Sequence, residues 1–242
     1  MTVDVLAFGS HPDDLELACG GTIAKLVKQG RKVAMADLTQ GELGTRGTKE
    51  IRAKEAHKAA KVLGAVTRRN LHIPDGDVQV TKENMIKVIS LIRELQPKIL
   101  LVPHSLDRHP DHYHTHQLCK EAWFYAGLMK IETKLDSKVQ KPFRPDNFFE
   151  FMQWYEFQPA FIVDISDTWE IKLEAIRAHS SQLHNPNSKE PETRLTKPEF
   201  LENVEIRARN YGRRIGTRYG EPFFSYVPVG IQNVFDLVMN KG

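Results

Sequence analysis

Cysteine is nearly absent. Cys19 and Cys119 are the only two in 242 residues, and they do not form a CxxC pair. A disulfide framework is therefore not expected, and both thiols read as small packing residues in helices rather than redox groups. Long apolar runs are missing as well, so no segment reaches the roughly 20 residues that a membrane span needs. The opening residues Met1-Thr2-Val3-Asp4-Val5 contain neither a basic stretch nor an apolar core of the signal-peptide kind. A cytoplasmic protein with no membrane partner is the expectation. A surplus of one charge is also lacking, since 34 Lys and Arg against 31 Asp and Glu leave +3. With no long basic run, a dedicated nucleic-acid surface is not expected. No internal repeat and no second-domain boundary is visible, and 40% apolar content is enough for one core across residues 1–242.

What is present is an alternation of strands and helices. Apolar runs at 3–9, 32–38 and 99–102 read as buried strands, and periodic segments at 15–29, 49–63, 82–95 and about 113–129 read as helices. Thr48 and Thr81 stand where N-caps are wanted, and Gly30 and Gly64 where helices stop. The third helix has Met85, Ile86, Ile89, Ile92 and Leu95 as its buried side and Pro97 beyond its end. A polar connection over 131–147 precedes strand-like runs from Phe148 to Tyr155 and from Phe161 to Ile165. Asp167 with Glu170 has capping-box spacing and is expected to open a helix reaching about residue 183. Beyond it come a loop at 184–198, placed to cover a site, a basic-faced helix at 199–215, a strand from Phe223 to Val227 and a short terminal helix. This order predicts an α/β, Rossmann-like three-layer sandwich with a mostly parallel sheet.

The chemistry-bearing residues cluster just beyond two of the strands. After Gly9 come Ser10-His11-Pro12-Asp13-Asp14, and after Pro103 come His104-Ser105-Leu106-Asp107-Arg108-His109-Pro110-Asp111-His112. Carboxyl ends of strands are where open α/β sheets hold ligands. His11 and Asp14, three residues apart, offer nitrogen and oxygen donors that suit zinc better than magnesium or calcium. Adjacent side chains on a turn diverge, which leaves Asp13 able to take a proton from water. The bland alternative is that Asp13 or Asp14 caps the following helix. A second His/Asp cluster beyond a second buried strand argues against coincidence. His11, Asp14 and His112 together would leave one position open, the catalytic zinc pattern. Arg52 lies on the apolar stripe of its helix, which calls for an anionic partner.

These motifs resemble the LmbE-like, or PIG-L, family of zinc-dependent N-acetylglucosamine deacetylases. The likeness rests on Ser10-His11-Pro12-Asp13-Asp14 with Glu16, on Leu38 to Gly47 with Arg52 and Glu55, on Leu71-His72-Ile73-Pro74-Asp75-Gly76, and on His109-Pro110-Asp111-His112. Later segments at 175–183 and 215–223 are similar to family segments too. Within the family, Leu106-Asp107-Arg108-His109-Pro110-Asp111-His112 resembles the bacillithiol-pathway branch, which deacetylates N-acetylglucosaminyl-malate. The resemblance implies one Zn2+ per chain on His11, Asp14 and His112, and Asp13 as general base. It also implies that His109, held by Asp111, stabilises the intermediate or protonates the leaving amine, and that Arg52 contacts substrate. Arg108 could meet a malate carboxylate bidentately. A small amino-sugar substrate and a homo-oligomer, often a hexamer, are further implications. One departure is Asp107, where some relatives carry a tyrosine. Rival readings are deacetylation of another N-acetylglucosamine conjugate (mycothiol-type or chitooligosaccharide), a magnesium-dependent receiver-like phosphoryl-transfer domain, and a non-catalytic sugar-binding module.

Overall fold

The computed structural model describes residues 1–238. Four strand–helix units come first: β1 (Val5–Gly9) with α1 (Asp14–Lys28), β2 (Val33–Asp37) with α2 (Lys49–Leu63), β3 (Thr67–Asn70) with α3 (Lys82–Leu95), and β4 (Ile99–Pro103) with α4 (Pro110–Ala126). A small hairpin of β5 (Lys134–Leu135) and β6 (Lys138–Val139) leads to β7 (Asn147–Phe151) and β8 (Phe161–Asp164). The chain then forms α5 (Trp169–Arg177), α6 (Phe200–Arg214) and β9 (Gly220–Phe224).

Seven strands make one sheet in the order β3-β2-β1-β4-β7-β9-β8. The first five in that order run parallel to one another, and β9 is antiparallel to both β7 and β8. Successive β1 side chains point to opposite faces, as strand geometry requires. Leu6 and Phe8 pack with Val88, Ile89 and Leu118 of α3 and α4, while Val5 and Ala7 pack with Leu15, Leu63 and Ala175 of α1, α2 and α5. Each fully buried side chain of this kind stabilises the fold by about 1.5–3 kcal/mol. The expected α/β three-layer sandwich is therefore the observed one. Strands β1 to β3 build outward on one side, and the chain then returns to β4 on the other side of β1. The carboxyl ends of β1 and β4 flank this switch point, which opens a crevice there.

Capping follows the sequence at two helices. Thr48 and Thr81 accept hydrogen bonds from the Ile51 and Asn84 amides. The expected Asp167–Glu170 capping box does not form. Helix α5 starts at Trp169 without a side-chain cap, because the Asp167 carboxylate accepts from Lys25 and Lys28 instead. That helix also stops at Arg177, and only a 3-10 turn at Ser180–Gln182 follows. Strand β3, unread in the sequence, is an edge strand whose Thr67-Arg68-Arg69-Asn70 carries no apolar signal. Helix α4 begins earlier than expected because Pro110 occupies its first turn and His109 caps it. The terminal helix reduces to a 3-10 turn at Val234–Asp236, and residues 239–242 lie outside the described part. Among the described residues no helix is long and apolar enough to cross a membrane.

Candidate metal centre and active site

The turn after β1 is shaped by Asp14. Its Oδ2 accepts from the Ser10 and His11 amides, both at 2.9 Å, so the side chain reaches back over the turn. Asp13 occupies the N-cap position of α1 but makes no side-chain cap bond. Helix capping is therefore not what either carboxylate contributes. Asp13 also has φ of 126°, outside the regions that a side chain ordinarily tolerates. Such strain costs on the order of 1–3 kcal/mol and persists only where surrounding contacts enforce it. Arg52 supplies those contacts. Its guanidinium donates to Pro12 O at 2.7 Å, to Asp13 Oδ2 at 3.3 Å and to Gly41 O at 3.0 Å. The inward charge on α2 thus has the anionic partner it called for, and Arg52 holds the Asp13 turn from within the protein. Gly41 is needed here: its φ is +64°, and a Cβ would fall 2.0 Å from the Arg52 guanidinium.

The turn after β4 brings the second cluster onto the first. Asp14 Oδ1 stands 3.2 Å from His112 Nε2, and Asp14 Oδ2 stands 3.5 Å from His11 Nδ1. The far nitrogen of each imidazole meets a carboxylate. His112 Nδ1 is 2.8 Å from Asp107, and His11 Nε2 is 3.1 Å from Asp75 and 3.2 Å from Asp111. Orientation of a histidine by a carboxylate on its far side is the usual support for a metal ligand. Donor atoms of His11, His109 and His112 lie within 4.8 Å of one another, as do those of His11, Asp75 and Asp111. We favour His11, Asp14 and His112 as the set that would hold a cation, because Asp14 touches both imidazoles and is itself pinned by two amides.

The charge state tests the fit. Burial pulls the His112 pKa down, but Asp14 and Asp107 outweigh it and carry it up to about 9. Burial likewise opposes protonation of His11, but its hydrogen bonds to Asp111, Asp14 and Asp75 raise it well above the usual histidine range. Asp14 is driven well below the ordinary carboxylate range, with the His112 and His11 charges overcoming burial. The protein surrounds this point with more negative charge than it can answer except by protonating its imidazoles. A divalent cation answers the same field, so the residues fit a metal.

One expectation for this region changes. Asp111 does not hold the His109 ring with its carboxylate, which instead meets His11 Nε2 and accepts from the Gly76 amide at 2.8 Å. The contact to His109 comes from the Asp111 backbone N–H, which donates to Nδ1 at 3.2 Å. Nor is the cationic form of His109 favoured. Burial and the charges of His11 and His112 lower its pKa. Asp13 moves the other way: burial raises it, against the pull of Arg52.

Asp75 and Asp107 escaped the sequence reading as site residues. The Pro74-Asp75-Gly76 turn was the only signal for the first, and the position of Asp107 two residues before His109 was the signal for the second. At the rim, Arg108 is exposed and lies over the Trp154 ring at 4.8 Å, with Arg194 over the same ring at 3.4 Å. The 184–198 loop therefore does border the site. The arginines of α6 do not form one basic face toward it: Arg207 donates to Gln153 O, and Arg209 pairs with Glu205.

A protein family described as GlcNAc-PI de-N-acetylase, PIG-L, matches residues 6–123. The chain is 33% identical over 227 residues to the diacetylchitobiose deacetylase of Thermococcus kodakarensis, with 90% of this chain and 80% of that one covered. The chain belongs to the PIG-L family. It is also 25% identical over 193 residues to a probable N-acetyl-alpha-D-glucosaminyl L-malate deacetylase 2 of Bacillus cereus, covering 74% of this chain and 83% of that one. Among solved structures, a conserved protein from Thermus thermophilus superposes with a TM-score of 0.86 at 34% identity, covering 96% of this chain and 99% of that one. This PIG-L protein is accordingly an enzyme, an amide hydrolase of the N-deacetylase type, and the receiver-like reading falls away.

Proposed function

We propose that this PIG-L enzyme hydrolyses the acetamide of an N-acetylglucosamine conjugate, using one zinc ion held by His11, Asp14 and His112. The observation that carries the reading is Asp13, held on a strained backbone by Arg52 and directly beside this donor set. Mixed nitrogen and oxygen donors suit zinc. A divalent cation at that position supplies polarisation of the amide carbonyl and a lowered pKa for the attacking water.

The chain's own groups handle the protons. Asp13 takes one proton from water as its oxygen attacks the acetyl carbon, a task matched to a carboxylate whose pKa burial has raised. His109 accepts the Asp111 N–H at Nδ1, which places its own proton on Nε2 and makes that nitrogen a donor for the developing oxyanion. Collapse breaks the carbon–nitrogen bond. Burial disfavours the charged form of His109, so Asp13 returns its proton to the departing amine, leaving acetate and a free amino sugar.

For the aglycone, the Arg108 and Arg194 guanidiniums gathered on the Trp154 ring support an anionic group, and N-acetylglucosaminyl-malate is the substrate we favour. Likeness to a diacetylchitobiose deacetylase supports a chitooligosaccharide as the second reading. Acetate release from N-acetylglucosaminyl-malate, diacetylchitobiose and N-acetylglucosamine, with metal analysis, tests both. Preference for the malate conjugate that disappears in Arg108→Ala upholds the first. Preference for diacetylchitobiose, unchanged in that variant, upholds the second, and no release from any of them sinks the deacetylase reading.

A further inference from the structure

Beside Asp13 lies a cavity of about 10 Å³, which Leu195 of the 184–198 loop also lines. Its polar walls are Asp13, His179 and Gln182, and Leu17, Ile176 and Leu183 complete much of the rest. His179 is 1% exposed, and neither of its ring nitrogens has a hydrogen-bond partner among the described residues. Nε2 stands 3.4 Å from Glu16 Oε1, within ion-pair reach, and Nδ1 has no partner among the described residues. Glu16 in turn is gripped by Arg68. Gln182 commits its amide N–H groups to Arg46 O and Ser181 Oγ. A buried imidazole with unpartnered nitrogens is rare in a folded protein and asks for a partner.

The dimensions point to that partner. A cavity of this size holds about one water molecule, and a buried water is stable where it finds 2–4 polar groups. Asp13, His179 and the Gln182 side chain provide them. We propose that one water sits here and bridges His179 to the Asp13 carboxylate. His179 is then a positioning residue: through the water it fixes the rotamer of the proton-accepting carboxylate, in addition to the grip of Arg52. The assignment rests on the deacetylase reading for its consequence in rate, but not for the water itself.

A high-resolution crystal structure of the metal-loaded wild type, together with kinetics of His179→Leu and His179→Gln, tests the proposal. Expected is density for a water within hydrogen-bond distance of both an Asp13 carboxylate oxygen and a His179 ring nitrogen. Loss of a supporting contact of this kind costs roughly 10- to 100-fold, so His179→Leu should lower kcat by about tenfold or more. KM and metal content should stay near wild type, and His179→Gln, which keeps a polar group in place, should recover most of the rate. A cavity without water density overturns the proposal, as does wild-type kcat in His179→Leu. Equal losses in the two variants that follow their unfolding midpoints overturn it too. If His179→Leu fails to fold, the density and the glutamine variant decide. A wild type that releases no acetate defeats the deacetylase reading and leaves the water to be judged by density.

Discussion

Two groups of buried carboxylates lie at the same end of the sheet, and they differ in what balances them. In one, Glu16 and Asp37 meet Arg68, whose Nε and Nη2 take the two Asp37 oxygens at 2.7 and 2.8 Å while Nη1 reaches Glu16 and Ala56 O. Burial alone would raise Glu16, yet the guanidinium carries it down to about 2. In the other, Asp14, Asp75 and Asp111 surround His11 and His112, with no Lys or Arg paired to them among the described residues. The first group contains a permanent cation, Arg68, and acts as scaffold beneath the turn. The second balances its charge only by protonating imidazoles, which is the condition that lets an external cation compete. Carboxylate density alone does not mark a metal centre; what marks it is the lack of a permanent internal cation.

Substitutions can break this contrast in order of expected effect. Asp13→Asn, which removes the proton acceptor but no proposed ligand, should lower kcat by about 100- to 10,000-fold while metal stoichiometry by elemental analysis stays at the wild-type value. Loss of metal in that variant would place Asp13 among the ligands instead. Arg68→Met leaves Glu16 and Asp37 buried without their cation, and denaturant unfolding should register a loss of roughly 3–5 kcal/mol. A small loss there would mean that the scaffold group is not held by charge pairing.

The remaining tests sharpen the open side of the comparison. Added zinc should raise the unfolding midpoint of chelator-treated wild type by mass action and leave that of His112→Ala unmoved. Asp107→Asn, which weakens the support of His112, should reduce metal affinity by about 10- to 100-fold in competition with a chromogenic chelator. The smallest effect belongs to Thr81→Ala, far from both groups, which should cost about 1 kcal/mol of stability by losing a helix cap and leave kcat unchanged.

The strand and helix order was legible because buried parallel strands and amphipathic helices write themselves as apolar runs and periodic stripes. Edge strand β3 was not legible, since Thr67-Arg68-Arg69-Asn70 is chosen for its contacts and for ion pairing rather than for burial. The Asp167–Glu170 spacing failed for a related reason: two lysines of α1, distant in sequence, offered Asp167 better partners than its own helix did.

For the site, local chemistry is informative wherever the neighbours are close along the chain. His11, Asp13 and Asp14 on one turn, and His109 and His112 on another, offer candidate donors and a candidate proton acceptor by type and spacing. Tertiary structure decided which carboxylate serves which imidazole. Asp107 rather than a more distant group orients His112, Asp111 turns its carboxylate to His11 and only its amide to His109, and Asp75 arrives from the β3 side of the sheet. Arg52 reaches Asp13 across 39 residues of chain, and His179 lines the same small cavity as Asp13. Pairings of this kind depend on distances of a few ångströms between loops, and only the packed sheet, by fixing where β1 and β4 end, determines those distances.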